Sequence, residues 1–367
     1  MIQQVLFHTP EKRFRTVKIK TLGCTISFLD ICNRNQSFNN MKYLLKFLIL
    51  SLFTIALTHC GYKRQPSNVG DVGDVGDSLK YNSIYHWKTT FEVDSAEVAF
   101  LKRHDIRRIY LRMFDVAVEQ DFLNGVPEIV PIATTKFLSA PPKDVEIVPV
   151  TYITIDALRA MASKESEFAS LIVERLLAMA AYNDCGNIRE IQLDCDWTAS
   201  TKSHYHHLCQ LVREAVAPKG IKLSVTIRLH QLSESAPPAD KGILMLYNTG
   251  ALKNRETLNS ILHIKDAKPY IKPTKYPIPL DYVYPTFGWG VKFRNNKFVS
   301  IVTADTKAST PDEYIRYERP TTAEVLAVKK LVEQNIGKPL NGNILYHLDS
   351  IQLKNYTDDE ISQIYSY

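Results

Sequence analysis

Cysteine is scarce in this chain. There are 6 in 367 residues, and past residue 60 only Cys185, Cys195 and Cys209 remain. That excludes a disulfide-built scaffold; one pair can bridge in an oxidising compartment, or all three can be buried thiols. Cys195 and Cys209 fall on faces that allow them to pack together. The globular part has no runs of Lys and Arg with interleaved aromatics, which excludes a nucleic-acid partner. Much of the +6 formal charge sits near the N-terminus instead. No Gly-x-Ser-x-Gly elbow, phosphate loop or dinucleotide fingerprint occurs, so serine-hydrolase, nucleotide and nicotinamide chemistries are not expected. His204, His206 and His207 cluster, but no second ligand set stands at metal spacing; neither a metal nor a cofactor is expected.

The N-terminal segment reads as an address. Residues 1–40 are basic and patternless, as expected of an extension upstream of the true start. From Met41 a short basic stretch leads into the apolar run 47–57 and then Leu57-Thr-His-Cys60. The run is too short for a spanning helix, which needs ~20 residues. Basic, apolar, then a cleavage region is a secretory layout. Its Leu-x-x-Cys ending resembles a bacterial lipoprotein signal. That implies a lipid on Cys60, a membrane partner, and a place in the bacterial cell envelope, at the outer membrane. An ordinary signal peptide or an N-terminal anchor is the alternative. Residues 61–78, with Gly70-Asp-Val-Gly-Asp-Val-Gly-Asp77, read as a flexible tether.

Residues 79–367 are expected to form a single (β/α)8 barrel of TIM type. Eight strand-like segments fall at 83–87, 108–114, 146–154, 190–197, 222–230, 242–248, 281–287 and 343–349. Helical stretches at 95–104, 154–181, 204–216 and 321–334 lie between them. The Pro-rich link 117–144 shows no helix, so one barrel helix is expected to be replaced by a loop. The Pro-containing 268–279 is also loop.

Period-two alternation gives the barrel a polar interior. Tyr85, Trp87, Tyr110, Arg112 and Phe114 face inward in this reading, as do Gln192, Asp194, Asp196, Thr226, Arg228, His230, Met245 and Tyr247. Strand eight offers either His347 and Asp349 or their neighbours. Arg112 and Arg228 are thus set against Asp194 and Asp196. Buried opposite charges often do no more than neutralise each other, and Asp194 fits that role. Asp196, one step nearer the mouth, is the candidate for chemistry or ligand contact. Glu234, Asp349, Asp115 and Asp156 also end or follow strands, and could restore a carboxyl pair at ~5–9.5 Å. Trp87, Trp197 and Trp289 each stand at or just after a strand end, either to stack on a sugar or to plug the top of the barrel.

These residues bring a family into view. Ile191-Gln-Leu-Asp194-Cys-Asp196-Trp197-Thr198 resembles the D-x-x-D-x-D-x-E motif of chitinase-type (family 18) glycoside hydrolases. Met245-Leu-Tyr247-Asn248 resembles their M-x-Y-D. The second and third Asp match; Ile191, Thr198 and Asn248 depart. The resemblance implies a barrel over most of residues 80–350, with a glycan or oligosaccharide ligand at its mouth. It implies roles for the matched Asp194 and Asp196; with Glu234 taken from the strand-end carboxylates, the candidate catalytic group is Asp196, Asp194 and Glu234. Tyr247, Arg228, His230, Trp197, Trp289, Trp87 and Asn248 would then contact substrate. A threonine cannot protonate a glycosidic oxygen, so the family's own mechanism is not expected. The alternatives are a hydrolase with another acid, a non-catalytic carbohydrate- or protein-binding lipoprotein, or a structural envelope protein.

Overall fold

In the computed structural model, residues 80–120 and 125–367 are described. The expectations for the leader, Cys60 and the tether lie outside them. Eight parallel strands close into a barrel: β1 (Asn82–His86), β2 (Ile106–Gln120), β3 (Glu146–Ile153), β4 (Glu190–Cys195), β5 (Lys222–Arg228), β6 (Lys241–Met245), β7 (Leu280–Pro285) and β8 (Asn343–Tyr346). Closure is made by β1, which pairs Ser83 with Ile344 on one side and with Arg108 on the other. All eight expected strands are present, in the expected order.

Helices cover the outside where the sequence alternates at helical period. They are α1 (Ser95–Arg103), α2 (Ile155–Ala160), α3 (Glu165–Tyr182), α4 (Lys202–Val216) and α5 (Thr322–Asn335). On α4, Tyr205, Leu208, Cys209, Val212 and Val216 form one buried stripe. Each such apolar side chain contributes about 1.5–3 kcal/mol on burial. Thr321 and Glu324 close a capping box that starts α5 just after Pro320. Cys185, Cys195 and Cys209 are free and buried. None of the described helices is long and apolar enough to cross a membrane.

Three departures from strict alternation shape the site. In β2 the pairing with β3 shifts between Arg112 and Phe114, leaving Met113 as an extra residue. A bulge of one residue exchanges the faces of everything beyond it. Phe114, expected inside, therefore points out, under the guanidinium of Arg175 on α3, and Asp115 turns in. Second, β2 runs on to Gln120 and pairs antiparallel with Pro127–Ile132. This hairpin stands in the β2–β3 connection, where no helix is found among the described residues. Third, β7 is followed by a three-stranded antiparallel sheet: Trp289–Arg294, Lys297–Val302 and Glu313–Glu318.

The foot of the barrel is filled by charge. Arg108 donates to Glu146 and Glu190, both at 2.8 Å. Lys241 lies 3.2 Å from Glu190 and 3.1 Å from Asp281, and also reaches the Tyr110 hydroxyl. Buried groups of this kind are tolerated because each meets an opposite partner. Above this layer Tyr110 stacks on Tyr85 at 4.9 Å, and Tyr85 donates to Gln192 across the barrel at 2.6 Å.

Candidate functional site

The strand ends β4 and β5 assemble the centre of the mouth. Alternation along β4 sends Ile191, Leu193 and Cys195 to the helices and Gln192 and Asp194 inward; Asp196 follows just past the strand. On β5 it sends Thr226 and Arg228 inward. Arg228 Nη2 donates to Asp194 at 2.8 Å, and its Nε to Asp196 at 2.5 Å. Thr226 donates to the same Asp194 oxygen at 2.6 Å. The Tyr152 hydroxyl reaches Asp196 at 3.4 Å. Asp194 is buried, whereas the Asp196 side chain is 26% exposed and lies nearer solvent.

Their environments push the two carboxyls apart. Burial, reinforced by the charge of Asp196, holds Asp194 above the ordinary carboxylate range despite Arg228. Burial also acts upward on Asp196, but Arg228 more than offsets it, and the group lies below that range. Burial opposes the charge on Arg228, yet the two carboxylates hold it firmly protonated.

Arg112 does not join this cluster. The bulge after it brings Asp115 inward, and the two form a bidentate pair, with Nε to Oδ1 at 2.8 Å. The guanidinium also lies 5.5 Å from the centre of the Trp87 ring. The expectation that both arginines face Asp194 and Asp196 is corrected on this point. Only Arg228 does, because Asp115 takes the other.

Aromatic rings close the top of the barrel. Tyr346 lies 5.0 Å from Tyr247, 5.7 Å from Phe287 and 5.9 Å from Trp87, centre to centre. On β8 it is thus Tyr346, not His347, that faces in. Two donors in this region are buried without a partner among the described residues, Arg228 Nη1 and Tyr247 Oη. They sit on neighbouring strands, since Arg228 pairs with Met245, two residues before Tyr247.

The chain resembles chitinase-type barrels. The chitinase of Chromobacterium violaceum is 12% identical, with 78% of this chain and 99% of that one covered and a TM-score of 0.49. A class V chitinase mutant from Cycas revoluta, solved with (GlcNAc)3, is 11% identical over 77% and 99%, with a TM-score of 0.45. The Bacillus cereus spore cortex-lytic enzyme SleL is 14% identical over 76% and 75%, with a TM-score of 0.43. At such identities the likeness concerns the course of the chain; the barrel itself stands on the strand pairings given above. No protein-family model and no curated protein matches the chain.

Several sequence-singled residues lie away from the centre. β5 ends at Arg228, and Leu229–Ser233 is a 3-10 turn that leaves His230 exposed. Its strand reading is thereby corrected: Gln231 turns back to accept from the Arg228 amide at 2.8 Å and donate to the Trp197 carbonyl at 2.9 Å. Trp197 is fully buried against Tyr205 and His206 of α4, on the helix side of its strand. Trp289 donates to Glu318 at 2.7 Å inside the small sheet. Neither ring is placed to stack on a ligand, whereas Trp87 lies in the mouth. Glu234 is held by Lys202 at 2.9 Å. Asp349 caps the turn at Ser350–Leu353 and faces Lys88 at 3.4 Å. Asp156 is paired with Arg159 on the surface.

Of the three departures from the motif, Ile191 is buried on the helix side of β4, and the other two have local accounts. Thr198 bonds to Ser200 Oγ at 3.0 Å on the loop toward α4. Asn248 is exposed with φ of 56°, in the left-handed region that Asn tolerates better than most residues. Of the histidine cluster, His204 meets Glu165 at 2.8 Å and His206 packs on Trp197. Among the described residues, no group of three or more His, Cys, Asp and Glu is placed to hold a metal. Tyr152 and Gln231 were not expected at the site, although Tyr152 stands near a strand end; Tyr346 is one of the neighbours that the other phase of strand eight offered.

Proposed function

We propose that the barrel mouth binds a glycan and does not cleave it by the chitinase-type route. The observation that carries this reading is the pair of buried, unpartnered donors, Arg228 Nη1 and Tyr247 Oη, beside a cluster already balanced by its own charges. A ligand meeting them must offer oxygen acceptors, as sugar hydroxyls and amide carbonyls do. Trp87 and Tyr346 pack together at the top of the barrel, both buried, and give the mouth an aromatic floor. The chemistry of cleavage is less well provided for. Asp196 is pinned by Arg228, Glu234 by Lys202 and Asp349 by its cap. At the acid position stands a threonine.

One feature favours a hydrolase instead. Asp194 is held above the ordinary range, as a proton-donating acid would be. It lies beneath Asp196, however, and its oxygen already accepts from Thr226 and Arg228.

Calorimetric titration with chito-oligosaccharides and peptidoglycan fragments, followed by product analysis, tests the proposal. Saturable binding without new reducing ends is the expected result. Product release would assign a working acid elsewhere than Thr198. Heat from no glycan in the panel would sink the carbohydrate reading. We further propose export and lipid anchoring through Cys60, supported by the layout of residues 41–60. Mass spectrometry of the processed chain, with Cys60→Ser as control, checks it.

A further inference from the structure

The small sheet after β7 is tied to the barrel mouth through one carboxylate. Glu318 ends the strand Glu313–Glu318 and stands opposite Trp289 in the antiparallel register. Its side chain is fully buried, and both of its oxygens are engaged. Oε2 accepts from Trp289 Nε1 at 2.7 Å and from Ser260 Oγ at 2.5 Å; Oε1 accepts from Arg316 Nε at 2.6 Å. Gly288 permits the close approach, since a Cβ there would meet the Glu318 carbonyl oxygen at 2.7 Å.

Each of the three donors leads toward Tyr247. Trp289 lies 5.2 Å from Phe287, and Phe287 packs edge-on at 5.9 Å from Tyr247, centre to centre. Ser260 belongs to the loop 249–262, which begins just after Tyr247-Asn248 and turns back on itself, Gly250 donating to the Ser260 carbonyl at 3.2 Å. Arg316 holds the far part of that loop. Its Nη1 donates to the carbonyls of Asn254 at 2.6 Å and Arg255 at 3.1 Å, and its Nη2 to that of Leu252 at 3.1 Å. A guanidinium is a planar fork, so fixing its Nε on a carboxylate fixes the direction of the remaining donors.

A buried ion pair often does no more than neutralise its own charges. The other end of the same strand is such a case. Glu313 meets Lys292 at 2.7 Å, Arg294 at 2.6 Å and the Ser309 amide at 2.9 Å, partners that all lie within the small sheet and its connection. Glu318 instead reaches out of the sheet, to the loop and to the rings behind Tyr247.

On the reading that the mouth binds a glycan, we propose that Glu318 is a positioning residue for it. Through Trp289 and Phe287 it fixes the ring of Tyr247; through Ser260 and Arg316 it fixes the loop that follows. A carboxylate is required because acceptors are needed at both ends. The amide of a glutamine would turn its NH2 group on at least one of the three donors.

The test compares Glu318→Gln, Ser260→Ala and Glu313→Gln in the full chain, by hydrogen exchange and by titration with chito-oligosaccharides. In Glu318→Gln the bonded loop amides of Gly250, Asn254 and Thr257 are expected to exchange roughly tenfold faster. In Ser260→Ala, which cuts only the tie to the loop, the change should be roughly fivefold, that of one hydrogen bond. Glu313→Gln should leave these amides unchanged although it too breaks a buried pair. Glycan affinity should fall in the same order. Equal loop exchange in Glu318→Gln and Glu313→Gln would reduce Glu318 to a stabiliser of the sheet and overturn the proposal. Unchanged loop exchange in Ser260→Ala overturns it as well, and so does a loosened loop with full glycan affinity. Should Glu318→Gln fail to fold, Ser260→Ala against Glu313→Gln carries the same comparison. If the unaltered chain binds no glycan, the glycan reading falls by itself, and the exchange pattern alone supports or overturns the positioning role.

Discussion

Arg228 Nη2 lies 2.8 Å from a carboxylate oxygen of Asp194, a residue only 1% exposed at its side chain. The pair is the structural centre of the mouth. Removing the charge of Asp194 leaves a buried guanidinium with one partner instead of two. Asp194→Asn is therefore expected to cost about 3–5 kcal/mol, the usual penalty for breaking a buried ion pair from one side. Asp196→Asn, nearer solvent, should cost clearly less. Urea denaturation of both variants measures the difference; equal costs would contradict the placement.

Tyr247 gives the complementary case. Its hydroxyl is buried and meets no partner among the described residues, so Tyr247→Phe removes a desolvated polar group. Stability is expected to stay level or rise slightly. Glycan affinity should fall about tenfold, the loss of roughly 1.4 kcal/mol expected for one hydrogen bond to the ligand. A stability loss above 2 kcal/mol by the same measurement would mean that the hydroxyl is bonded within the protein.

Supplying an acid at position 198 should not by itself produce glycoside hydrolysis. Thr198→Glu places a carboxyl at the family's position, but Asp196 stays bound to Arg228 and Asn248 stays exposed on its turn. The expected outcome is unchanged glycan binding and no reducing ends in a colorimetric assay over a day. Turnover in this variant would show that Asp196 is freer than its 2.5 Å contact implies.

Acid should destabilise the fold through two histidines. His86 ends β1 and His347 directly follows the neighbouring β8, with Lys88 and Asp349 nearby. Burial pulls His86 down to about 3 and His347 down to about 4. The unfolded chain binds protons at ~6.5 while the folded chain does not, so stability is full above that pH and falls as pH drops toward the folded values. Between pH 7 and 4.5 each histidine should remove about 2–3 kcal/mol. Urea midpoints at the two pH values, compared with His86→Leu, check this; an unchanged pH slope in the variant would exclude His86.

Much of the fold was legible because eight segments alternate cleanly and the linkers between them do not. The inner face of β4 and β5 was legible for the same reason. What escaped were the places where period two is interrupted. Nothing in Arg112-Met-Phe-Asp115 marks Met113 as the extra residue, so Phe114 was assigned to the wrong face and Asp115 was read only as a carboxylate at the strand end. The turn at Leu229 escaped because Leu229 and His230 continue the alternation in letters while Gln231 ends it in space. The small sheet did carry a signal. Asn295 and Asn296 stand between two alternating segments, and both adopt positive φ, 49° and 63°, as a tight hairpin turn requires. The foot network was unreadable for a different reason: Arg108, Glu190, Lys241 and Asp281 begin four separate strands, and only closure of the barrel brings them together.

That network divides the labour of the molecule. The charges at the foot tie five strand beginnings to one another on the side away from the mouth. Residues at the opposite rim are thereby released from holding the staves in register. Thr198 and Asn248 stand at that rim, so a change at either position would alter what the mouth offers without loosening the base of the vessel.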